Sequence, residues 1–386
     1  MWHKAIVGAL SLCVALSLTG CRNVVVSEGE EKMQVLTTAE GKALMKDLRI
    51  DWVQATAAPA VREIYCDQGI VYVEFAYGMM LAISQQDGAL KWLYPLPGAL
   101  DYAPCSTENK VFIFTDGTMH ILDKATGKRL AMRNPHVGSI APPAAASKVV
   151  IVANAQGQIV GLSEINCAPA WVRGTDTLII ASAFVAPDQY YCLTIDGQIR
   201  QYDTSNGEVK WMQAVPGRTP VAPPLAAADG LFVGGRDNTV YAYGLDGGLR
   251  WKRMVGGVTV NRPALAHGKL IVITDPDIAV VLDPATGDEL WRQKGPARFL
   301  TATPERAYFL DASGATLLAF NLADGALLGK LDAHNFQRFC ADPEAGRFMA
   351  VTADGRVYSI IDVAKAPPAA APATVPATAG PVPGGQ

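Results

Sequence analysis

The sequence has few charges and no marked excess of one sign: Asp, Glu, Lys and Arg make up 18% of the 386 residues, and the formal net charge is -3. A protein that binds phosphate backbones needs a basic surface, so this composition argues against nucleic acid as a partner. Histidine occurs only 5 times, without an HExxH pattern or another metal-ligand spacing. GxSxG, P-loop and βαβ-type GxGxxG patterns are missing, so the sequence predicts no catalytic residues and no metal site.

Apolar runs long enough to cross a bilayer as a helix are also missing. The run at residues 5–18 has 14 residues, whereas a spanning helix needs about 20. It follows a basic start and precedes Leu18-Thr19-Gly20-Cys21, so residues 1–20 are predicted to be a signal peptide. The tetrapeptide resembles a bacterial lipobox, which implies that Cys21 is acylated and becomes the mature N-terminus; an ordinary secretory peptide with a chance cysteine is the alternative. Arg22, in place of Asp, implies by the enterobacterial sorting pattern an outer-membrane protein that faces the periplasm.

Tryptophan recurs at a regular interval along the chain. Six of the 7 tryptophans are separated by 40, 79, 40, 40 and 40 residues, and the gap of 79 is two periods with Ala131 in the missing position. One more period ends at Gly329, which gives eight positions. An interval of this length predicts a repeat architecture. We interpret these tryptophans as residues that dock one repeat against the next: Trp52, Trp92, Trp171, Trp211, Trp251 and Trp291.

Each period contains four short apolar segments separated by turn residues, which predicts four antiparallel strands. Tight turns such as Asp116-Gly117 join the second strand to the third. In the turn between the third and fourth strands, a carboxylate is expected to accept backbone N–H groups while a glycine supplies an unusual backbone angle. The predicted structural turn residues are Asp123, Gly127, Asp203, Gly207, Asp283 and Gly287. The pattern predicts an all-β fold, an eight-bladed β-propeller with four-stranded antiparallel blades.

The two ends of the repeat region complement each other. The last repeat ends with a strand at residues 357–361 and lacks a tryptophan-bearing fourth strand, whereas the segment around Trp52 has no three strands before it. We therefore expect an N-terminal strand near Trp52 to close the last blade. The predicted organisation is a signal peptide at 1–20, the lipidated Cys21 with a tether at 21–49, the propeller at 50–362, and a disordered Pro/Ala-rich tail at 363–386.

The residues before the tryptophans resemble a known family of repeats. Residues 283–291 (DPATGDELW) are similar to the repeat of quinoprotein-type, PQQ-like propellers, and the similarity extends over about residues 50–362. With its lipobox and eight repeats, the chain most resembles the BamB lipoproteins of the outer-membrane β-barrel assembly machinery. The resemblance implies a non-catalytic periplasmic scaffold without a cofactor, whose loops contact an envelope protein, a component of β-barrel assembly. The chain departs from that family at residues 215–220, after Trp211, and in its Pro/Ala-rich tail.

An enzyme on the same fold is the alternative function. The quinone-dependent dehydrogenases that share this repeat carry PQQ and calcium at the centre of the ring, with adjacent cysteines above the cofactor. This chain has no Cys-Cys pair. The sequence therefore favours a binding protein over a PQQ-dependent dehydrogenase or another ligand-binding propeller.

Cysteine usage leaves one question open. Of the 7 cysteines, Cys13 lies in the signal peptide and Cys21 is the lipidation site, so five remain. Cys66, Cys105 and Cys340 occupy equivalent places near the axis in three successive blades, and two of them could form a disulfide. We expect free, packed thiols instead, because equivalent points on neighbouring blades often exceed the Cα separation of about 7 Å that a disulfide tolerates.

Overall fold

The structure, a computed structural model, describes residues 47–56, 60–133, 142–146, 148–154, 156–166, 168–185, 189–216, 222–228 and 230–363. The predicted signal peptide, the lipidation site Cys21, and nearly all of the predicted tether and tail lie outside these ranges. So does most of the segment after Trp211 that departs from the family pattern. Within the described ranges, no helix is both long and apolar enough to span a bilayer.

The described residues form eight antiparallel sheets of four strands each, which confirms the predicted all-β, eight-bladed propeller. We number the sheets as blades in chain order. Blade 1 contains β2 Val61–Asp67, β3 Ile70–Phe75, β4 Met79–Ser84 and β5 Leu90–Pro95; blade 2 contains β6 Cys105–Ser106, β7 Lys110–Thr115, β8 Thr118–Asp123 and β9 Arg129–Arg133. Blade 3 contains β10 Ala144–Ala145, β11 Val149–Ala153, β12 Gln158–Ser163 and β13 Pro169–Gly174; blade 4 contains β14 Ile179–Val185, β15 Gln189–Thr194, β16 Gln198–Asp203 and β17 Val209–Ala214.

The second half of the ring repeats the same plan. Blade 5 contains β18 Leu225–Ala227, β19 Gly230–Gly234, β20 Thr239–Tyr243 and β21 Leu249–Met254; blade 6 contains β22 Ala264–Ala266, β23 Lys269–Thr274, β24 Ile278–Leu282 and β25 Glu289–Lys294. Blade 7 contains β26 Pro296–Ala302, β27 Arg306–Asp311, β28 Thr316–Asn321 and β29 Leu327–Asp332. Blade 8 contains β30 Phe336–Ala341, β31 Arg347–Thr352, β32 Arg356–Asp362 and, from the N-terminal side, β1 Leu48–Ala55.

The second and third strands of each blade are the most apolar, because both faces of these strands are covered by neighbouring blades. In β3 all residues are buried, and in β31 the central four are. Strands covered on both faces read as continuous apolar runs rather than as alternating ones. The fourth strands, at the outside of the ring, alternate instead; in β5 only Trp92 and Tyr94 are buried.

The hydrophobic core is a ring of interfaces between blades. Eight clusters of buried side chains are present in the described residues, and each combines side chains from two adjacent blades. One of them joins blade 8 to blade 1 through residues such as Ile83 and Met349. The first strands of adjacent blades also contact one another, as β2 and β30 do. The first strands therefore surround the axis, and the ring is closed.

The last blade is completed by the N-terminal strand, as predicted. β1 pairs with β32 in antiparallel register, and Trp52 lies opposite Ser359. This pairing joins the two ends of the described propeller through a ladder of backbone hydrogen bonds. At each end of the ladder the contact continues, because the Thr56 amide donates to the Gly355 carbonyl at 3.3 Å and the Val363 amide to the Asp47 carbonyl at 2.7 Å.

Candidate functional site

The six tryptophans of the 40-residue lattice all lie on fourth strands, and each indole reaches into the next blade. Each Nε1–H donates to a backbone carbonyl in the turn between the third and fourth strands of that blade. These bonds are Trp52 to Gln85 at 3.1 Å, Trp92 to Lys124 at 2.9 Å, Trp171 to Thr204 at 2.9 Å, Trp211 to Leu245 at 2.8 Å, Trp251 to Pro284 at 3.0 Å and Trp291 to Leu322 at 2.9 Å. One donor therefore satisfies one turn carbonyl at each of six interfaces.

A glycine lies under each of these indoles. A Cβ added to Gly127 would stand 2.5 Å from Cδ2 of Trp92, and the backbone of Gly127 has a φ of 68°, which L-residues adopt rarely. The predicted turn glycines Gly207 and Gly287 pack in the same way under Trp171 and Trp251. The partners of the other three tryptophans are Gly88, Gly247 and Gly325. Each interface of this kind thus pairs a tryptophan with a glycine of the following blade.

The predicted turn carboxylates accept hydrogen bonds from their own turns. Asp123 Oδ1 accepts from the Thr126 hydroxyl at 2.7 Å and from its amide at 2.8 Å, and the pKa of Asp123 is lowered by these bonds. The hydroxyl and the amide of Ser205 lower the pKa of Asp203 in the same way. Asp283 Oδ1 accepts from the Ala285 amide at 2.7 Å. These carboxylates hold the turn on which the neighbouring indole lies.

A β-bulge precedes the tryptophan position in every blade, and the sequence reasoning missed it. In blade 1, Ala82 pairs with Trp92 and Ile83 pairs with Leu90, so Lys91 has no partner in the ladder. The other seven blades show the same shift, including those with Ala131 and Gly329 at the tryptophan position. A bulge re-aims the adjacent side chain and increases the local twist. We attribute the direction of the indoles to this bulge.

Two interfaces have no tryptophan, and polar contacts occupy them. Between blades 2 and 3, where Ala131 replaces tryptophan, Lys110 Nζ donates to the Glu164 carbonyl at 2.8 Å. By turn position this carbonyl is equivalent to those that accept from the indoles. Thr107 Oγ1 also donates to the Glu164 carboxylate at 2.6 Å. Cys167, which stands in this turn where the others carry glycine, lies outside the described residues.

The interface between blades 7 and 8 differs because blade 8 has no covalent turn between its third and fourth strands. Arg306 Nη2 pairs with Asp47 at 2.6 Å, and Nη1 pairs with Asp362 at 3.4 Å. One guanidinium thus contacts both chain segments of the β1–β32 pairing, the clasp that closes the ring. The Tyr308 hydroxyl donates to Asp362 at 2.7 Å. Blade 8 thus offers no turn on which an indole from blade 7 could lie. A guanidinium that bridges two carboxylates stabilises this interface instead.

A disulfide between Cys66 and Cys340 spans the seam between blades 8 and 1, with a Cα separation of 5.7 Å. The expectation of free thiols was therefore wrong for this pair. The two cysteines lie in the first strands β2 and β30, which converge toward the axis, and this brings equivalent positions within the range that a disulfide tolerates. Cys105, the third candidate, is a free thiol. Arg347 also links the two blades, because it pairs with Asp51 of blade 8 at 2.7 Å and donates to the Gln85 carbonyl of blade 1 at 3.0 Å.

Two cysteines of the described residues are free, Cys105 and Cys192. Burial raises the pKa of both thiols, that of Cys192 to about 12. Because the thiolate is the nucleophile, neither is activated for chemistry. No group of three or more His, Cys, Asp or Glu side chains in the described ranges is arranged to hold a metal ion.

An open cavity of about 720 Å³ lies beside the seam, on the face where first strands turn into second strands. Blades 8, 1 and 2 line it, and its charged lining includes Lys91, Glu108, Lys124 and Arg347. Burial lowers the pKa of Lys124, whose Nζ donates to Gln68 Oε1 at 2.7 Å. The cavity wall thus presents polar groups of both signs.

A partly buried carboxyl supports that wall. Burial raises the pKa of Asp67, while a hydrogen bond from the Ser106 hydroxyl at 2.5 Å opposes the shift. Gln68 Nε2 donates to the Ser106 carbonyl at 3.1 Å, which ties blade 1 to blade 2 here. Ionisable groups with displaced pKa values beside a cleft are typical of binding sites, and this cavity is the candidate ligand site of the described surface.

The chain is similar to known proteins in sequence and in fold. The family profile described as outer membrane protein assembly factor BamB matches residues 7–173, 115–257 and 236–360. No curated protein sequence matches the chain. Among solved structures, BamB from Moraxella catarrhalis is 15% identical with a TM-score of 0.65, and the alignment covers 81% of this chain and 99% of that one.

Two other solved structures share the fold. The computationally designed Ika8 protein is 16% identical with a TM-score of 0.63 over 79% of this chain and 98% of its own. The quinohemoprotein alcohol dehydrogenase from Comamonas testosteroni is 13% identical with a TM-score of 0.62 over 84% of this chain and 78% of its own. At these identities the likeness extends to the propeller fold and not to an activity.

Proposed function

This chain belongs to the family of outer membrane protein assembly factor BamB, and we propose that it is a non-catalytic scaffold for protein partners in the cell envelope. The observation that carries this proposal is the family profile, which matches along residues 7–360. The proposed partner is a component of the machinery that assembles outer-membrane proteins. Its contacts with the propeller are expected to come from loops and outer strands, where partners of propellers have access.

The construction of the ring supports a scaffolding role. Every interface between blades has its own hydrophobic cluster, the pairing of β1 with β32 completes blade 8, and a disulfide joins blade 8 to blade 1. A surface held in one conformation loses little entropy when it binds, so more of the contact energy is available for affinity. The ring is therefore suited to present surface residues in a constant arrangement.

The outer strands of blades 4 and 5 offer apolar side chains to a partner. Met212 and Val209 of β17 are 52% and 50% exposed, and Met254 of β21 is 72% exposed. Apolar side chains that are exposed in neighbouring elements often mark protein contacts. Positions 212 and 254 are thus suitable for crosslinking probes on neighbouring outer strands.

The test is affinity purification of the tagged, full-length protein from membranes, with a photo-crosslinking amino acid at position 212 or 254. Leu327, a 43% exposed residue on the fourth strand of blade 7, is the matched control position. We expect crosslinks to components of β-barrel assembly from blades 4 and 5 and fewer from blade 7. Recovery of none of these components, with or without crosslinking, would contradict the assignment.

We also propose the domain plan and the anchor that the sequence predicts: a signal peptide at 1–20, a lipid on Cys21, a tether at 21–49, the propeller at 50–362 and a tail at 363–386. The anchor would hold the ring at the periplasmic face of the outer membrane. A Cys21→Ser variant should lose incorporation of labelled palmitate and move from the membrane to the soluble fraction. Retention of both label and membrane association in that variant would exclude Cys21 as the lipidation site.

The competing candidate is a quinone-dependent dehydrogenase, because the fold is shared with the quinohemoprotein enzyme. The residues do not fit that cofactor site: its adjacent-cysteine pair has no counterpart, and the disulfide here joins Cys66 to Cys340, on two different blades. We expect the purified protein to give no quinone-dependent dye reduction when PQQ and calcium are added to alcohol substrates. Dye reduction that depends on added PQQ would favour the enzyme instead.

A further inference from the structure

Arginines recur on the innermost part of the ring in four consecutive blades. Arg298 and Arg338 lie in the first strands of blades 7 and 8, Arg62 lies in that of blade 1, and Arg262 precedes that of blade 6 by two residues. First strands of adjacent blades contact one another around the axis. All four residues are therefore carried by backbone that faces the axial channel.

The strand registers place these arginines at one height along the axis. Arg298 and Arg338 each pair with the fifth residue of the second strand of their blade. In blade 1 the equivalent pair is Glu63 with Glu74, and Arg62 occupies the bulge beside it. Extending the register of β22 with β23 by two residues brings Arg262 to the same level.

Hydrogen bonds between blades link this tier. Asn261 Nδ2 donates to the Ala297 carbonyl at 2.7 Å, next to Arg298. Arg298 Nη2 donates to the Phe339 carbonyl at 2.9 Å, next to Arg338, and Arg338 Nε donates to the Arg62 carbonyl at 2.8 Å. Each blade thus contacts the next at this height, so the side chains of the tier are neighbours around the channel.

These guanidinium groups keep unused donors. A guanidinium has five N–H donors, and within the described residues Arg298 makes a single hydrogen bond. Arg262 makes none and has no ion-pair partner among the described residues. Both side chains are exposed within the ring, yet the surrounding protein lowers the pKa of each guanidinium by restricting its hydration.

The charge of the tier is only partly compensated. Arg338 lies 3.5 Å from Glu63, and Arg62 lies 3.9 Å from Glu74. Four arginines against two glutamates leave two positive charges in excess. Glu63 also acts on the pKa of Arg298, two blades away, which is consistent with groups that converge on the axis. Cations that line one channel without full compensation by carboxylates attract an anion.

We propose that this arginine tier, Arg62, Arg262, Arg298 and Arg338, is an anion-binding site in the axial channel that takes an oxyanion, either a carboxylate or a phosphate. The planar fork of a guanidinium matches the oxygens of both groups. Arg262 supplies the free donors and Arg298 the second cation. This site is separate from the partner contacts of the proposed scaffold, so either can fail without the other.

The test is isothermal titration of the full-length protein with citrate and with inorganic phosphate, at constant ionic strength in chloride. Saturable binding of citrate, of phosphate or of both is expected, and the pattern identifies which oxyanion the site accepts. Arg262→Gln should weaken that binding by about tenfold or more, because it removes a charged hydrogen-bond donor. Arg262 has no partner in the described fold, so this variant should keep its circular-dichroism spectrum and melting temperature.

Arg129→Gln is the matched control, since Arg129 is an exposed arginine on the outer strand β9. It should bind the anion as the unmodified protein does. Arg298→Lys, which keeps the charge but loses the fork, should fall between the two. Absence of saturable binding of both anions, or equal affinities in the Arg262→Gln and Arg129→Gln variants, would overturn the proposal.

Discussion

Alanine substitutions at two glycines of blade 2 can separate two contributions to the free energy of unfolding, the strain of a left-handed backbone and the contact of the glycine with an indole. Gly117 and Gly127 have φ values of 69° and 68°, but an added Cβ at Gly117 meets nothing within 4 Å, whereas at Gly127 it would lie 2.5 Å from the indole of Trp92. A left-handed conformation costs an L-residue about 1–2 kcal/mol. The lower backbone entropy of alanine in the unfolded chain offsets about 0.4–1 kcal/mol of this. Gly117→Ala should therefore destabilise by about 1 kcal/mol.

Gly127→Ala carries the same backbone cost and a steric one. Forcing an extra methyl group into a packed site typically costs about 1–3 kcal/mol, so the total should be about 2–4 kcal/mol. Trp92 is only 5% exposed, and truncating a buried tryptophan to alanine costs about 3–5 kcal/mol. In a Trp92→Ala background the steric part should vanish, and Gly127→Ala should again cost about 1 kcal/mol. The double-mutant cycle then gives a coupling of about 1–3 kcal/mol.

Urea denaturation followed by far-ultraviolet circular dichroism measures these differences without relying on tryptophan fluorescence. Gly117→Ala and Gly127→Ala should be made in both the unmodified and the Trp92→Ala protein. The same destabilisation for both glycine substitutions, or a Gly127→Ala cost that persists in the Trp92→Ala protein, would refute the docking of the indole on the glycine. A coupling confined to Gly127 would support it.

Three further predictions concern the seam and a buried histidine. Trp52 is only partly buried, so Trp52→Ala should destabilise the ring by about 3 kcal/mol, the lower end of the range for a buried tryptophan, and an unchanged melting temperature would count against the clasp. Replacing Cys66 and Cys340 by serine should cost about 5 kcal/mol in the chain-entropy account, given the sequence separation of 274; thiol counting without reductant should find both blocked, and five free thiols in the denatured mature protein would exclude the bond. His120 bonds to Tyr94 and Thr115 at 3.0 Å each, and burial, aided by Arg129, lowers the pKa of its imidazole. The stabilising contribution of neutral His120 is complete above the unfolded-state pKa of about 6.5, and it is lost as the pH falls from there through the lower folded-state pKa. The melting temperature should therefore drop more steeply from pH 7 to pH 5 than in a His120→Gln variant. Parallel curves of melting temperature against pH for the two proteins would contradict this.

The fold could be predicted from the sequence because the tryptophans that mark the repeat all have the same structural role, the docking of one blade on the next. The closure of the ring could be predicted from Trp52. Its strand has no other strands of a blade before it, and the last blade, at the opposite end of the repeats, lacks a strand with tryptophan. The positions of Ala131 and Gly329 in the lattice were predicted from the period alone. Their structural equivalence to tryptophan is confirmed by the pairing of Ala131 with Ile121 and of Gly329 with Ala319.

The details that the sequence did not reveal depend on distances across the ring. The bond between Cys66 and Cys340 follows from how far β2 and β30 converge at the axis, which residue spacing does not encode. The contact of Lys110 with the Glu164 carbonyl depends on a long side chain reaching another blade. One signal was present in the sequence: the repeat with Ala131 in the tryptophan position is followed by a repeat with Cys167 in the glycine position, so tryptophan and glycine are absent together. The joint absence of both residues indicates that this interface is not formed by an indole that lies on a glycine.

The arginine tier was missed for a similar reason. Arg262, Arg298 and Arg338 are separated by 36 and 40 residues, but first strands carry no tryptophan to mark their register. Their common height emerges only once the pairing partners in the second strands are known. Charges on the innermost strands of a propeller are therefore best compared after the repeats have been aligned by their pairing.

The pairing of β1 with β32 also sets an order of events in the life of the chain. A polypeptide made from its amino end presents β1 first, yet the strand that receives β1 is the last of the propeller. Until residues 356–362 have emerged, β1 has no strand to pair with, and blade 8 cannot be completed. The protein thus acquires its ring shape only when synthesis of the propeller is complete, and a chain that stops before β32 cannot close.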